Sequence, residues 1–230
     1  MDLSPLRSAA SFADQAADAL RERILSGEFA PSERIVESEV ARQMEVSRAP
    51  IREALSRLRA EGILREDARR GTFVVDVGVK DVEEIYDLRA ALEVKAVQLL
   101  RASQSSPPFV ALHDAVDDLA RAARRDEPRE VARLDVGFHG TLCELSGNER
   151  LHAAFRAHVP ILRVLLATEE SIYFPTLTDV ADRHVRLLEA VEEEDADTAA
   201  DAVARHLSEA RDRVVGYLGT SPAVSVDADS

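Results

Sequence analysis

Cysteine is nearly absent from this sequence. Cys143 stands alone, which excludes an internal disulfide framework and fits a reducing compartment. A lone thiol is most simply a small buried apolar side chain. Long apolar runs are missing as well. No stretch approaches the roughly 20 residues that cross a bilayer. The N-terminal segment MDLSPLRSAASFADQAADALRERIL has no continuous apolar core of the kind a secretory leader needs. The expectation is a cytoplasmic protein with no membrane partner. Lysine is limited to Lys80 and Lys95, so positive charge is almost all arginine. It is also in deficit: 29 basic against 43 acidic side chains give a formal net charge of -14.

What remains is apolar enough to fold. Hydrophobic residues make up 46% of the 230, sufficient for one large domain or two modest ones. The charge is divided unevenly. Residues 1–77 carry 12 basic and 14 acidic side chains, and residues 78–230 carry 17 and 29. An acidic body excludes indiscriminate binding of polyanions, but a near-neutral front with a local basic face does not. Two domains are the expectation: residues 12–77 and residues 78–218, between a flexible segment 1–11 and a disordered tail 219–230.

The front domain reads as three helices and a hairpin. Phe12, Ala16, Leu20 and Ile24 recur at helical spacing, and Gly27 and Pro31 end that run. RIVESEVARQM reads as a second, short helix. After a turn at Glu45 and Val46, Ser47 serves as N-cap of a third helix ending near Gly62, with Pro50 tolerated in its first turn. ILRE and TFVVDV then form a two-stranded hairpin with its tip at Arg69, Arg70 and Gly71. The arrangement is a winged helix-turn-helix. From Lys80 onward strand signals vanish. A long helix over 81–102 is followed by helical patterns at 109–125, 129–146, 149–170, 178–194 and 196–218. The fold class is therefore mainly α: a winged helix-turn-helix followed by an antiparallel bundle of about six helices.

The stretch VSRAPIREALSRLRAEGIL concentrates positive charge. At about 100° per residue, Ile51, Ala54, Leu55 and Leu58 form one apolar stripe. Arg48, Arg52 and Arg59 lie beside it within an arc of roughly 40°. One face packs on the domain core while a ridge of guanidinium forks faces outward. Arginine suits this ridge because its planar donors match guanine O6/N7 or a phosphate in pairs. Ser47, at the start of the helix, and Arg69, Arg70 and Gly71 in the wing complete a candidate DNA surface. A solvated surface helix with internal pairs such as Arg57–Glu61 would explain the charges alone, but not a basic wing following a helix-turn-helix.

Histidine supplies the second constellation. Asp135 and His139 are four residues apart, so both project from one helix face. His184 lies on the apolar side of its helix with Leu187, Leu188 and Val191, and His206 lies near Val203 and Ala210. Three imidazoles and a carboxylate turned into a bundle are costly unless paired or ligated. A divalent metal would satisfy all four together; hydrogen-bonded interior histidines are the other reading. His113, His152 and His158 are surface or structural.

These segments resemble a known family. VSRAPIREALSRLRAEGIL and RRGTFVV are similar to the signature and wing of the GntR family of bacterial transcription regulators, across residues 12–77. The resemblance implies that Arg48 and Arg52 read the major groove and Gly71 the minor groove. Many relatives carry an arginine where this chain has Ser38, which puts one usual DNA contact in doubt. DLRAALE, DVGFHGTLCELSGN and DRHVRLLEAVEEEDADTAADAVARHL resemble the FCD effector-binding domain of the FadR-type branch, across residues 81–218. Many such domains hold a divalent metal through one Asp and three His, which implies Asp135, His139, His184 and His206 here. Arg89 matches a position that often faces the effector; an Arg89–Glu93 surface pair would account for it equally well.

The resulting expectation is a homodimeric transcription regulator, a repressor, that binds a pseudo-palindromic operator in double-stranded DNA. A small organic acid bound at a metal site would control it. Zinc is the expected ion, with nickel, manganese and iron also suited to these donors. Two rivals are a metal-dependent enzyme fused to a DNA-binding domain and a regulator whose metal is structural or is itself the signal. No general base or nucleophile motif stands out in the sequence, so no catalytic residue is assigned.

Overall fold

The computed structural model describes residues 11–102, 109–167, 176–193 and 195–220. The SQSSPP loop, the last residues of the 149–170 pattern, most of the tail and residues 1–10 lie outside the described residues. The main division between two compact units falls between Asp76 and Val77.

The first unit begins with α1, Phe12–Leu25. Its N-terminus is closed by a reciprocal box: the Ser11 side chain accepts from the Asp14 backbone N–H while the Asp14 carboxylate accepts from the Ser11 backbone N–H. Such a box satisfies donors that the helix itself cannot. Strand β1 is Arg34–Ile35, α2 is Glu37–Gln43 and α3 is Arg48–Ala60. Strands β2, Leu64–Asp67, and β3, Gly71–Val74, follow. The sheet is antiparallel with order β1-β3-β2.

That order corrects the hairpin expected from sequence. Arg34 and Ile35 do not begin the second helix; they pair with Phe73 and Thr72 as a third strand, and the helix starts at Glu37. Ile35 is buried there. A β-branched side chain on the inner face of a strand outweighs its weak helical preference. The wing tip is also one residue earlier than expected. Ala68, Arg69 and Arg70 form the turn, and Gly71 already belongs to β3.

The core of this unit is the α3 stripe laid against α1. Ile51, Ala54 and Leu58 are fully buried, with Leu20 and Ala17 opposite and Ile63 closing the end. Gly62 has φ +77 and so ends the helix in a conformation that favours glycine. Arg57 does not pair with Glu61, as a purely local reading supposes. It pairs with Asp14 across the α1–α3 seam and with Glu53 at 2.6 Å. Glu61 instead takes two bonds from Arg21, at 2.6 and 2.8 Å. These two guanidinium pairs tie α1 to α3 and leave the opposite ridge of α3 outside the fold's own needs.

After Val77 the described elements are all helices: α4 Val79–Ala102, α5 Val110–Arg124, α6 Pro128–Leu145, α7 Glu149–Ala167, α8 Leu177–Glu193 and α9 Ala196–Thr220. They make up the second unit, except that α7 from Arg163 onward groups with the first. Pro128 occupies the first turn of α6, where its missing N–H costs nothing. Helix α9 runs through Gly219 and Thr220, two residues beyond the expected end. Helix α4 packs on α9 and α6, α5 on α6 and α8, and α8 on α9. The buried stripe of α4 runs Val82, Tyr86, Arg89, Glu93, Ala96, Val97 and Leu100. Its spacing is that of an ordinary apolar face, yet two of its members are charged.

Candidate functional site

In the first unit, α3 sends Arg48 and Arg52 outward, with 63% and 68% of their side chains exposed. Both lean toward one carboxylate at the start of α2. Arg48 Nε donates to Glu37 Oε1 at 2.9 Å, and Arg52 Nη2 donates to the same oxygen at 3.2 Å. Two guanidinium groups share one counter-charge, so the ridge keeps a net positive charge. Ser47 has N-cap backbone angles, but its side chain makes no bond to the helix, which leaves the hydroxyl at the ridge's edge. Arg59 stands apart. It is 27% exposed and pairs with Glu66 of β2 at 3.3 Å, so it ties α3 to the wing.

The wing carries Arg69 and Arg70 exposed at its turn. Asp67 Oδ1 accepts from both of their backbone N–H groups, at 2.9 and 3.1 Å, and fixes the turn. The guanidinium groups of Arg70 and Arg65 both lie over the Phe73 ring, at 5.6 and 5.1 Å from its centre. Gly71 has φ +105, and an added Cβ would sit 3.4 Å from the Arg34 guanidinium. The glycine is needed for its backbone angle before any question of close approach to DNA arises.

In the second unit the four expected ligand residues do converge. Asp135 and His139 come from α6, His184 from α8 and His206 from α9. One nitrogen from each imidazole lies within 4.8 Å of the others. His184 Nε2 is 3.4 Å from His139 Nε2 and 3.2 Å from Asp135 Oδ1. The Phe138 ring stands edge-on to both His139 and His184 and closes the apolar side.

The far nitrogens decide what these atoms offer. His184 Nδ1 is 2.8 Å from the Val180 carbonyl, which can only accept, so Nδ1 carries the hydrogen and Nε2 a lone pair. His139 Nδ1 is 2.6 Å from Glu93 Oε2 and is oriented in the same sense. Two imidazole lone pairs and a carboxylate oxygen thus face one point. Burial holds the His139 and His206 imidazoles below their ordinary pKa, so both favour the neutral form. Burial opposes the charge on Asp135, but His184, His139 and Arg89 hold its carboxyl well below the usual carboxylate range. A proton on His184 Nε2 would serve Asp135 while leaving the other lone pairs opposed. A divalent cation answers all of them, and a second rank of acceptors behind the imidazoles is the usual support for such a centre.

Glu93 is the residue that sequence reasoning missed. It was visible only as a partner for Arg89 in a surface pair; the pair exists, with Nε to Oε1 at 2.8 Å, but it is buried. Burial works against the Glu93 charge, and the Arg89 and His139 charges outweigh it, so the carboxyl stays lowered. Arg89 also lies 5.1 Å over the Tyr86 ring, and its Nη2 is buried with no hydrogen-bond partner. Arg89 lines a cavity of about 20 Å³ together with the three histidines and Asp135. His113 and His158 are accounted for elsewhere, by Glu192 and by the Ala154 carbonyl. Cys143 is buried, and burial pushes its thiol pKa up.

A winged helix with an exposed arginine ridge, followed in the chain by a helical unit with a histidine centre, is the architecture of a DNA-binding regulator. Comparison with known proteins agrees. The chain matches the family "Bacterial regulatory proteins, gntR family" over residues 12–74 and the FCD domain over residues 84–209. It is 31% identical to the HTH-type transcriptional regulator YdhC of Bacillus subtilis over 82% of this chain and 84% of that protein. It is 31% identical to the Nta operon transcriptional regulator of Aminobacter aminovorans, over 84% and 90%. The gluconate operon transcriptional repressor of Bacillus subtilis is 26% identical, over 90% and 86%. A solved GntR regulator from Rhodococcus sp. RHA1 shares the fold at TM-score 0.78 and 22% identity, covering 90% of this chain and 99% of that one. The chain belongs to the GntR family and carries an FCD domain. It is a transcription regulator and not an enzyme.

The buried pair sets a stability test. Glu93→Ala leaves a guanidinium in the bundle without its counter-charge, and a loss of about 3–5 kcal/mol is expected. The double variant Glu93→Leu, Arg89→Met should recover part of that loss. Denaturant unfolding of the three proteins measures it, and equal losses in single and double variants would refute the pairing.

Proposed function

We propose that this regulator is a repressor whose hold on DNA is set by a small organic acid bound at a divalent metal in the helical unit. The observation that carries the reading is the convergence of lone pairs from His139, His184 and Asp135, with His206 beside them, on one buried point. Zinc is the favoured ion; nickel, manganese and iron suit the same donors. When bound, the ion supplies positive charge and an open position that a carboxylate can complete.

The chain's own residues do the rest. Glu93 and the Val180 carbonyl hold the imidazoles of His139 and His184 by their far nitrogens. Arg89, whose Nη2 donor has no partner, orients the acid's carboxylate. The gluconate operon repressor is, by name, tied to a sugar acid, which supports an acid effector and a repressor's sign.

On the DNA side, Arg48 and Arg52 read bases in the major groove and Ser47 contacts the backbone beside them. Arg69, Arg70 and Gly71 bring the wing to the adjoining groove, and Arg59 steadies the wing through Glu66. One recognition helix covers few base pairs, so the working form is a homodimer on a pseudo-palindromic operator. It works in the cytoplasm, where its operator is. The signal travels along α4. That helix carries Arg89 and Glu93 and begins at Val79, five residues after β3 ends at Val74. Effector and operator must then change each other's affinity by the same factor.

Two outcomes test the reading. Arg52→Ala should weaken specific operator binding by about 1–3 kcal/mol, and unchanged affinity in a gel-shift titration would remove Arg52 from the interface. His139→Ala and His206→Ala should each lower metal content and abolish the response to acids, with operator binding by the metal-free protein retained. Full metal occupancy in either variant, measured by elemental analysis, contradicts the ligand set.

A further inference from the structure

The cavity at the histidine centre is too small for an effector. Its volume of about 20 Å³ is close to that of a single water site, for which roughly 10–15 Å³ suffices. It can admit one end of an organic acid but not its carbon skeleton. If the acid's carboxylate binds there, as the function proposed above requires, the remainder must lie elsewhere.

An adjoining cleft offers that space. It has a volume of about 400 Å³ and lies along the α8–α9 hairpin. Arg183 and His206 line both the cavity and the cleft, so the two meet at those side chains. The cleft walls are matched stripes at i, i+3 and i+4: Arg183, Arg186 and Leu187 from α8, and Ala202, Arg205 and His206 from α9, with Glu209 one turn further on. Three guanidinium groups face one carboxylate. Glu209 is taken up by Arg183 at 2.6 Å and lies 3.6 Å from Arg213. Arg186 and Arg205 are exposed, with no ion pair or hydrogen bond among the described residues. A local excess of positive charge stands beside the centre in a part of the chain where acids outnumber bases 29 to 17.

We propose that this cleft is the second subsite of the effector pocket and that Arg186 and Arg205 select an effector bearing a second acidic group. The favoured ligand is a small dianion, a dicarboxylate or a phosphorylated acid, with one end at the histidine centre and the other between the two arginines. Arginine forks recognise a carboxylate or a phosphate alike. Leu187, beside Arg186 on α8, gives the linking carbons an apolar wall. The inference extends the acid-sensing reading: that reading names the class of ligand, and the cleft adds its second charge.

The experiment uses the full-length, zinc-loaded protein and two matched pairs of probes, propionate with succinate and butyrate with glutarate, titrated calorimetrically. In the wild type each diacid should bind about tenfold tighter than its monoacid, the scale of one added charge-assisted contact. The double variant Arg186→Gln, Arg205→Gln should lose that advantage and keep monoacid affinity. Circular dichroism and zinc content should be unchanged, because both side chains are exposed. Inorganic phosphate should compete with the diacids more strongly than with the monoacids. Monoacid binding with no diacid advantage, or an advantage that survives in the variant, overturns the second subsite and leaves the metal-centre reading standing. If no acid of either kind binds the wild type, both readings fall.

Discussion

A carboxylate with no access to water holds the sensing half of this protein together. Glu93 is fully buried on α4, and both of its oxygens are engaged: one faces the Arg89 guanidinium and the other the His139 ring. Isolated charges cannot be kept in such a place, because each loses several kcal/mol of hydration that only close partners restore. Arg89 therefore needs Glu93, and Glu93 needs Arg89 together with a hydrogen on His139 Nδ1. That hydrogen turns the His139 Nε2 lone pair inward. The carbonyl of Val180 does the same for His184. A centre formed by α6, α8 and α9 is thus oriented from behind by α4, the helix that follows the winged unit in the chain.

The two units solve opposite electrostatic problems. At the histidine centre, charge is buried and matched within a few ångströms. On the α3 ridge it is exposed and left in local surplus. Arg21 and Arg57 are spent on Glu61 and Asp14, where they join α1 to α3. Arg48 and Arg52 share Glu37 alone. Exposed pairs of that kind contribute little to stability, about 0–1 kcal/mol each, so Glu37 can yield the arginines to phosphates or bases at small cost. The rest of the molecule carries most of the negative charge and disfavours a polyanion, which is why the DNA surface proposed above is limited to this ridge and its wing.

Much of this was legible in the residues. The apolar stripe of α3 and the arginines beside it follow from a 100° wheel, and the helices expected after Lys80 are all found, with ends within two residues wherever those ends fall among the described residues. Asp135, His139, His184 and His206 could be grouped because each lies on an apolar helix face; the bundle brings the three histidines together and sets Asp135 against His184. The failures are instructive. Arg34 and Ile35 read as helix because a two-residue strand has no period of its own; only the partner strand reveals it. Arg59 shares the ridge on a wheel, and its pairing with Glu66, which comes from another element, has no mark in the sequence. Glu93 was dismissed as a surface partner because an i,i+4 charge pair is the usual mark of a solvated face. Its signal lay in the positions: Val82, Tyr86, Arg89, Glu93, Ala96 and Leu100 follow the spacing of a buried seam. Charges that keep such a register are buried by the fold, and a buried charge needs a purpose.

The central claim is that three imidazoles and one carboxylate, aimed by the atoms behind them, bind a single ion in the sensing unit. X-ray absorption spectroscopy of the full-length, zinc-loaded protein tests it most directly. The account predicts one zinc per chain in a shell of nitrogen and oxygen donors, with the multiple-scattering signature of about three imidazoles. A shell containing sulfur, a shell of water oxygens without imidazole scattering, or a protein that retains no zinc after desalting would contradict it.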